Sequence, residues 1–155
     1  MPTGLRLELV TSKNVRAACK LELLPDQEGL VAPVAWSLAD AYAMPAIAWP
    51  RLIYDGDQLV GFIMAAFAPE QENPIFHSYL WRLNIGAEHQ GKGYGRFAVE
   101  ELCKEVSGRG HHRLTVSYHA GPHGPEEFYR RLGFHPTGEF NEGETVAERL
   151  LPSAR

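Results

Sequence analysis

Between Leu83 and Val106 the chain reads Leu-Asn-Ile-Gly-Ala-Glu-His-Gln-Gly-Lys-Gly-Tyr-Gly-Arg-Phe-Ala-Val-Glu-Glu-Leu-Cys-Lys-Glu-Val. The chemistry in this stretch lies in Gly91, Gly93 and Gly95 at alternate positions, interleaved with Lys92, Tyr94 and Arg96 and preceded by Gln90. Glycine lets the main chain adopt left-handed dihedrals and approach a ligand closely. A strand-like apolar run ends at Ile85, and helical periodicity takes over near Tyr94. There Tyr94, Ala98 and Leu102 share a face that Phe97, Val99, Cys103 and Val106 widen, while Arg96, Glu100, Lys104 and Glu105 point outward. A strand, a glycine loop and a helix N-terminus together aim main-chain N–H groups and the positive end of the helix dipole at an anion. A tight turn alone needs fewer glycines. The loop reads as a phosphate site.

Spacing selects among phosphate loops. Gly86 to Lys92 follows the start of the nucleotide-triphosphate loop, but Gly93 stands where that motif needs a Ser or Thr hydroxyl for Mg²⁺. A dinucleotide fingerprint needs G-x-G-x-x-G, whereas here the glycines alternate as Gly91-x-Gly93-x-Gly95. Gln90-x-x-Gly93-x-Gly95 does match the Q/R-x-x-G-x-G/A signature, and the chain resembles the GNAT superfamily of N-acetyltransferases. A second segment, Phe128-Tyr129-Arg130-Arg131-Leu132-Gly133-Phe134, resembles the superfamily's Y-x-x-x-G-F and follows the loop after one helix and one strand.

The resemblance implies acetyl-coenzyme A as co-substrate, its pyrophosphate held by Gln90, Gly91, Lys92, Gly93, Tyr94, Gly95 and Arg96. It implies main-chain contacts from Leu83 and Ile85 to the pantetheine arm and acetyl group, and a place for Tyr129 beside the coenzyme sulfur. A phenol of pKa about 10 there can serve as general acid to a thiolate whose conjugate acid has pKa about 8.5. Acetyl transfer also needs a neutral amine, and an alkylamine of pKa about 10.4 is only about one part in two thousand neutral at pH 7. Supplying that form costs about 4–5 kcal/mol unless a base or a desolvating pocket helps. Many superfamily members carry an acidic residue on the strand before the glycine loop. Here Tyr79, Trp81 and Leu83 occupy the corresponding face, which makes Tyr79, with His77 as neighbour, the position to examine for proton transfer. The superfamily's asparagine upstream of the tyrosine is replaced by Pro122.

The elements that must position these residues follow from periodicity and punctuation. Leu5–Val10 alternates as a strand, Thr11-Ser12 caps a helix from about Asn14 to Leu24, and Asp26–Gly29 is a loop. Pro33–Ala43 reads as a second helix. Strands at Ala48–Tyr54 and Leu59–Ala68 flank a turn at Asp55-Gly-Asp57. His77–Ile85 is the strand feeding the loop, and Ser107-Gly108 stops the helix that follows it. Arg113–Tyr118 is a strand, a short helix starts at Gly124-Pro125-Glu126 and stops at Gly133, and Phe134–Phe140 pairs with Thr145–Leu151. This order predicts one domain over 1–155 of the α/β (α+β) class. Its GNAT-like sheet is mixed and mostly antiparallel, with six to seven strands flanked by about four helices.

Composition bounds the partners. The 155 residues are 45% apolar and 22% charged with net charge −4, which suits one self-contained core and argues against a nucleic-acid footprint. No apolar run reaches the length of a membrane span, Met1-Pro-Thr-Gly lacks a leader's features, and a cytoplasmic location is expected. Cys19 and Cys103 are expected to be free buried thiols. The seven histidines do not converge: His111 and His112 are adjacent, and Gly121-Pro122 separates His119 from His123, so no metal site is expected.

For the acceptor, the stretches Leu24–Gly29, Pro33–Ala41 and Gly138–Glu144 resemble bacterial spermine/spermidine acetyltransferases, with Trp81 where those have an aspartate. A polyamine-type amine is therefore expected. Glu70, Glu72, Glu139, Glu142 and Glu144 are candidates for an acidic mouth, and Trp36, Trp49 and Trp81 for an aromatic cage around an ammonium. The alternatives are another amine (an amino acid, an antibiotic, a protein lysine) or a coenzyme A-binding sensor without turnover. The resemblance also allows a homodimer.

Overall fold

The computed structural model describes residues 4–25, 32–122 and 124–152. The expected Asp26–Gly29 loop, His123 and Met1–Thr3 lie outside the described residues. Seven strands form one sheet: β1 (Leu5–Glu8), β2 (Ala48–Asp55), β3 (Gln58–Ala66), β4 (Tyr79–Ile85), β5 (Arg113–Tyr118), β6 (His135–Asn141) and β7 (Glu144–Leu150). Four helices accompany them: α1 (Val15–Cys19), α2 (Val34–Ala43), α3 (Tyr94–Gly108) and α4 (Glu126–Arg131). The strand order is β1-β2-β3-β4-β5-β7-β6. Every neighbouring pair is antiparallel except β4 with β5, which is parallel. The mixed, mostly antiparallel sheet and four helices are those expected, and no helix among the described residues is long and apolar enough to cross a membrane.

The sheet buries both faces. Ile63, Ala65, Leu80, Leu114 and Val116 meet Ala98, Val99, Leu102 and Val106 of α3 on one side. Leu52, Phe62 and Met64 meet Ala18 of α1 and Val34 of α2 on the other. Because strand side chains alternate between faces, β3 feeds both clusters, and its residues from Val60 to Ala66 are all buried. The apolar face expected of α3 is the buried one, with Phe97 only partly covered.

Three expectations need correction. The first helix stops at Cys19 rather than Leu24. Glu22 instead accepts the Ala87 N–H at 2.6 Å, so the chain after Lys20 bonds to the glycine-loop region and tertiary pairing overrides local helical preference. Cys19 is exposed, since α1 is too short to cover it, whereas Cys103 is buried and its thiol pKa is pushed up to about 11 by desolvation. α3 ends at Gly108, as expected. The reversal falls on Gly110 (φ 81°), with the His111 N–H returning to the Val106 carbonyl. Finally, β4 begins at Tyr79 because Pro74–Phe76 forms a 3₁₀ turn, and His77 caps it with Nε2 2.7 Å from the Gln71 carbonyl.

Candidate active site

The site begins with a register slip in β4. Met64 of β3 pairs with Arg82, but the next residue, Ala65, pairs with Leu80, leaving Trp81 as an extra residue. Such a bulge bends its strand and shifts the alternation of side chains. Trp81 and the partners of Met64 and Ala66, Arg82 and Tyr79, therefore face α1 and α2, while Leu80, Leu83 and Ile85 face α3. The expectation that Tyr79, Trp81 and Leu83 share one face fails, because strict alternation takes no account of the bulge. Beyond it β4 leaves its parallel neighbour. Only Tyr79 with Thr115 and Leu80 with Val116 are paired, and past them the two strands part.

The parted strands open a cleft of about 1050 Å³, at the upper end of the size usual for small-molecule sites. One wall is the glycine loop. Gln90 Nε2 donates to the Ile85 carbonyl at 2.8 Å, tying the start of the loop to the end of β4. Gly91 (φ 75°) and Gly93 (φ 87°) occupy left-handed conformations that L side chains rarely adopt. Gly95 serves differently, since a Cβ there would sit 3.0 Å from Cζ of Phe128, so this glycine lets α4 lie against α3. The first bond along α3 runs from the Phe97 N–H to the Gly93 carbonyl at 3.0 Å, so the amides of Tyr94, Gly95 and Arg96 have no intrahelical acceptor. The Tyr94 hydroxyl donates to Asp55 at 2.7 Å, anchoring this end of the helix to β2; that bond, then burial, raises its pKa.

Tyr129 lies in the same cleft, 7% exposed. Its ring stacks on Tyr118 with centroids 5.7 Å apart and meets Phe128 and Phe134 edge-on at 5.0 and 5.5 Å. The glycine and phenylalanine of its motif have a mechanical role. Gly133 (φ 90°) reverses the chain, the Phe134 N–H returns to the Tyr129 carbonyl at 3.0 Å, and the Phe134 ring then braces the phenol. Burial, reinforced by Tyr79 and Tyr118, raises the phenol well above its ordinary pKa and keeps it protonated. Tyr79, 8% exposed, also lines the cleft, with its hydroxyl 2.5 Å from Ser117 Oγ. Burial raises its pKa too, against the lowering effect of the Ser117 bond.

Nearly all the sequence-predicted site residues line this cleft: Leu83, Ile85, Gln90, Gly91, Gly93, Tyr94, Gly95, Arg96, Tyr79 and Tyr129. Lys92 is exposed and outside the lining, and the half-buried His77 lies outside it too. The other candidates divide. Glu142 and Glu144 line the cleft, but Glu70 and Glu72 sit on the exposed β3–β4 connection and Glu139 pairs with Arg113 at 3.7 Å. Trp36 and Trp81 line it, whereas Trp49 is a core residue edge-on to Phe67 with Arg51 over its ring. No cage of three tryptophans forms. Sequence reasoning missed Arg82, which lines the cleft and pairs with Asp40 at 3.4 Å, and Ser117 and His119 at the end of β5. No motif marks these; only the bulge and the parting of β4 from β5 bring them in.

Comparison with known proteins fits this geometry. The Acetyltransferase (GNAT) family matches residues 15–134. The chain is 33% identical over 57 residues to an L-2,4-diaminobutyric acid acetyltransferase of Shouchella clausii, a match spanning 34% of this chain and 30% of that protein. An acetyltransferase structure from Thermus thermophilus is similar at 26% identity and TM-score 0.68, covering 97% of this chain and 99% of that one. The PaiA N-acetyltransferase of Thermoplasma acidophilum, solved with coenzyme A, shares the fold at 13% identity and TM-score 0.69, covering 94% and 98% of the two chains.

Proposed function

The chain belongs to the acetyltransferase (GNAT) family, and from that membership we propose that it moves the acetyl group of acetyl-CoA to the primary amine of a small, polyamine-type acceptor. The observation that carries the proposal is the single cleft joining the α3 amides to Tyr129. Its residues fit an acyl-coenzyme A. Gly91 and Gly93 have open space where a Cβ would project, and the free amides of Tyr94, Gly95 and Arg96 suit a diphosphate. The Leu83 and Ile85 segment, unpaired with β5, suits the pantetheine arm. The bound thioester supplies an activated acetyl group.

The chain's own residues do the rest. Apolar and aromatic walls exclude water and favour the neutral amine. Tyr129, held protonated by burial, donates a hydrogen bond to the departing sulfur. Its raised pKa makes complete proton loss uphill, so the thiol's proton is replaced on the phenol from the amine nitrogen as the amide forms. Glu142, Glu144, Trp36 and Trp81 supply the negative charge and ring faces that attract a cation. Acyl transfer to a freely diffusing amine also accords with a cytoplasmic location.

A second reading, an acceptor that carries a carboxylate beside its amine, is favoured by the Arg82 guanidinium on the cleft wall and by the likeness to the diaminobutyrate enzyme. Thiol release from acetyl-CoA across a panel of diamines, polyamines and diamino acids tests both. Fastest release with spermidine-like amines supports the first, and fastest release with diamino acids replaces it with the second. Tight coenzyme A binding with no release above background would leave a sensor.

A further inference from the structure

The transfer needs a destination for the acceptor's proton, yet β4, the strand feeding the glycine loop, carries no carboxylate. A chain of polar groups reaches the cleft from elsewhere. The Tyr79 hydroxyl is 2.5 Å from Ser117 Oγ, and Ser117 Oγ donates to Glu144 Oε1 at 3.0 Å. Glu144 Oε2 lies 3.3 Å from Nε2 of His119. All four residues line the cleft, although they come from β4, β5 and its end, and β7.

The direction of this chain is fixed at its acidic end. An ionised carboxylate only accepts hydrogen bonds, so Ser117 must give its proton to Glu144 and is free to accept one from Tyr79. The Tyr79 proton is thereby committed to Ser117, and the phenol oxygen, toward which the Asn141 side-chain amide also donates, has its second lone pair for a donor in the cleft. An alkylammonium is such a donor. The path also runs outward, from Tyr79 at 8% exposure to a His119 side chain that is 52% exposed.

We propose that Glu144 is the terminal proton acceptor of the acetyl transfer, reached from the acceptor ammonium through Tyr79 and Ser117 and connected to solvent through His119. The inference rests on the acetyltransferase reading. One N–H of the ammonium breaks, each hydroxyl passes on its own proton as it takes the next, and Glu144 ends protonated. The amine nitrogen then bonds to the acetyl carbon, the carbon–sulfur bond breaks, and the second amine proton ends on the thiol by way of Tyr129. Glu144 returns its proton to water through His119, so one proton is released per turnover. Tyr79 is the group that takes the proton from the acceptor; Ser117 and Glu144 receive it through Tyr79. The other titratable or charged groups around this path are Arg82 of β4, Glu142 of the β6–β7 turn, Tyr129 of α4 and His119.

The test is kcat/KM against pH for the wild type, Glu144→Gln, Ser117→Ala and Ser117→Thr with the best amine of the panel, alongside calorimetric coenzyme A affinity and thermal melts. Near pH 7, Glu144→Gln and Ser117→Ala should each lower kcat by about 10²-fold. Coenzyme A affinity and melting should not change. The deficit should shrink as pH rises toward the amine's own pKa of about 10.4, where free amine needs no base. Ser117→Thr, which keeps the hydroxyl, should recover most of the loss. A deficit constant across pH, a change in KM alone, or no deficit would overturn the relay while leaving acetyl transfer standing. A wild type that binds coenzyme A but acetylates no amine would overturn the acetyltransferase reading, and the relay with it.

Discussion

The two walls of the cleft are built by different means. The wall at the α3 N-terminus is one continuous stretch, Ile85 to Arg96, where left-handed glycines precede main-chain amides that have no intrahelical acceptor. The opposite wall collects side chains from distant segments: Trp36 of α2, Trp81 and Arg82 of β4, Ser117 of β5, and Glu142 and Glu144 around the last turn. A wall made of backbone depends on few residue types at fixed spacing. One made of side chains tolerates many types, provided the fold brings the right charges together. The first suits a coenzyme shared by a whole family, and the second suits an acceptor that differs among its members.

The largest expected effect breaks the backbone wall. Replacing Gly93 by leucine puts a branched side chain at φ 87° in open space, at a conformational cost of about 1–2 kcal/mol. The side chain would project where a diphosphate would bind. Calorimetry should find coenzyme A binding lost, with circular dichroism showing the fold retained. Retained binding would mean that the amides after Gly93 are not the anchor. Next is Tyr129→Phe, expected to slow turnover by about 10²-fold or more in single-turnover kinetics with coenzyme affinity intact. Unchanged kinetics would remove Tyr129 from the mechanism.

The side-chain wall should respond more gently. Trp36 is 63% exposed, so Trp36→Ala should raise KM for the amine by about 2- to 5-fold, the range of an exposed cation–π contact, without affecting the coenzyme. A loss of coenzyme affinity instead would break the division between the walls. The smallest effect is expected for Glu70→Gln and Glu72→Gln, which lie outside the cleft. Steady-state KM should stay within about two-fold, as for exposed charges that pair weakly. A larger rise would extend the acceptor site onto the β3–β4 connection.

The same contrast governs what could be read from the sequence. The Gln90-x-x-Gly93-x-Gly95 loop and the Tyr129-to-Phe134 segment announce themselves because left-handed turns and a chain reversal demand glycine at set positions. Most element boundaries were legible from periodicity for a similar reason. α1 was misjudged because Glu22 bonds across to Ala87, a long-range pairing that local preference does not encode. The bulge at Trp81 was invisible for lack of any residue signature, and missing it inverted the face assigned to Leu83 and hid Arg82. Five glutamates looked equivalent in sequence, but topology sorts Glu142 and Glu144 from the rest because the last hairpin folds back beside β5.

The proposed function requires main-chain amides at the start of α3 to grip an acyl-coenzyme A diphosphate. Titrating coenzyme A into ¹⁵N-labelled protein, followed by amide-resolved NMR, reads those groups directly. The largest shifts should fall on Gly91 through Arg96, with smaller ones at Leu83, Ile85 and Tyr129. Saturable shifts centred elsewhere, or none at all with coenzyme in excess, would contradict the account.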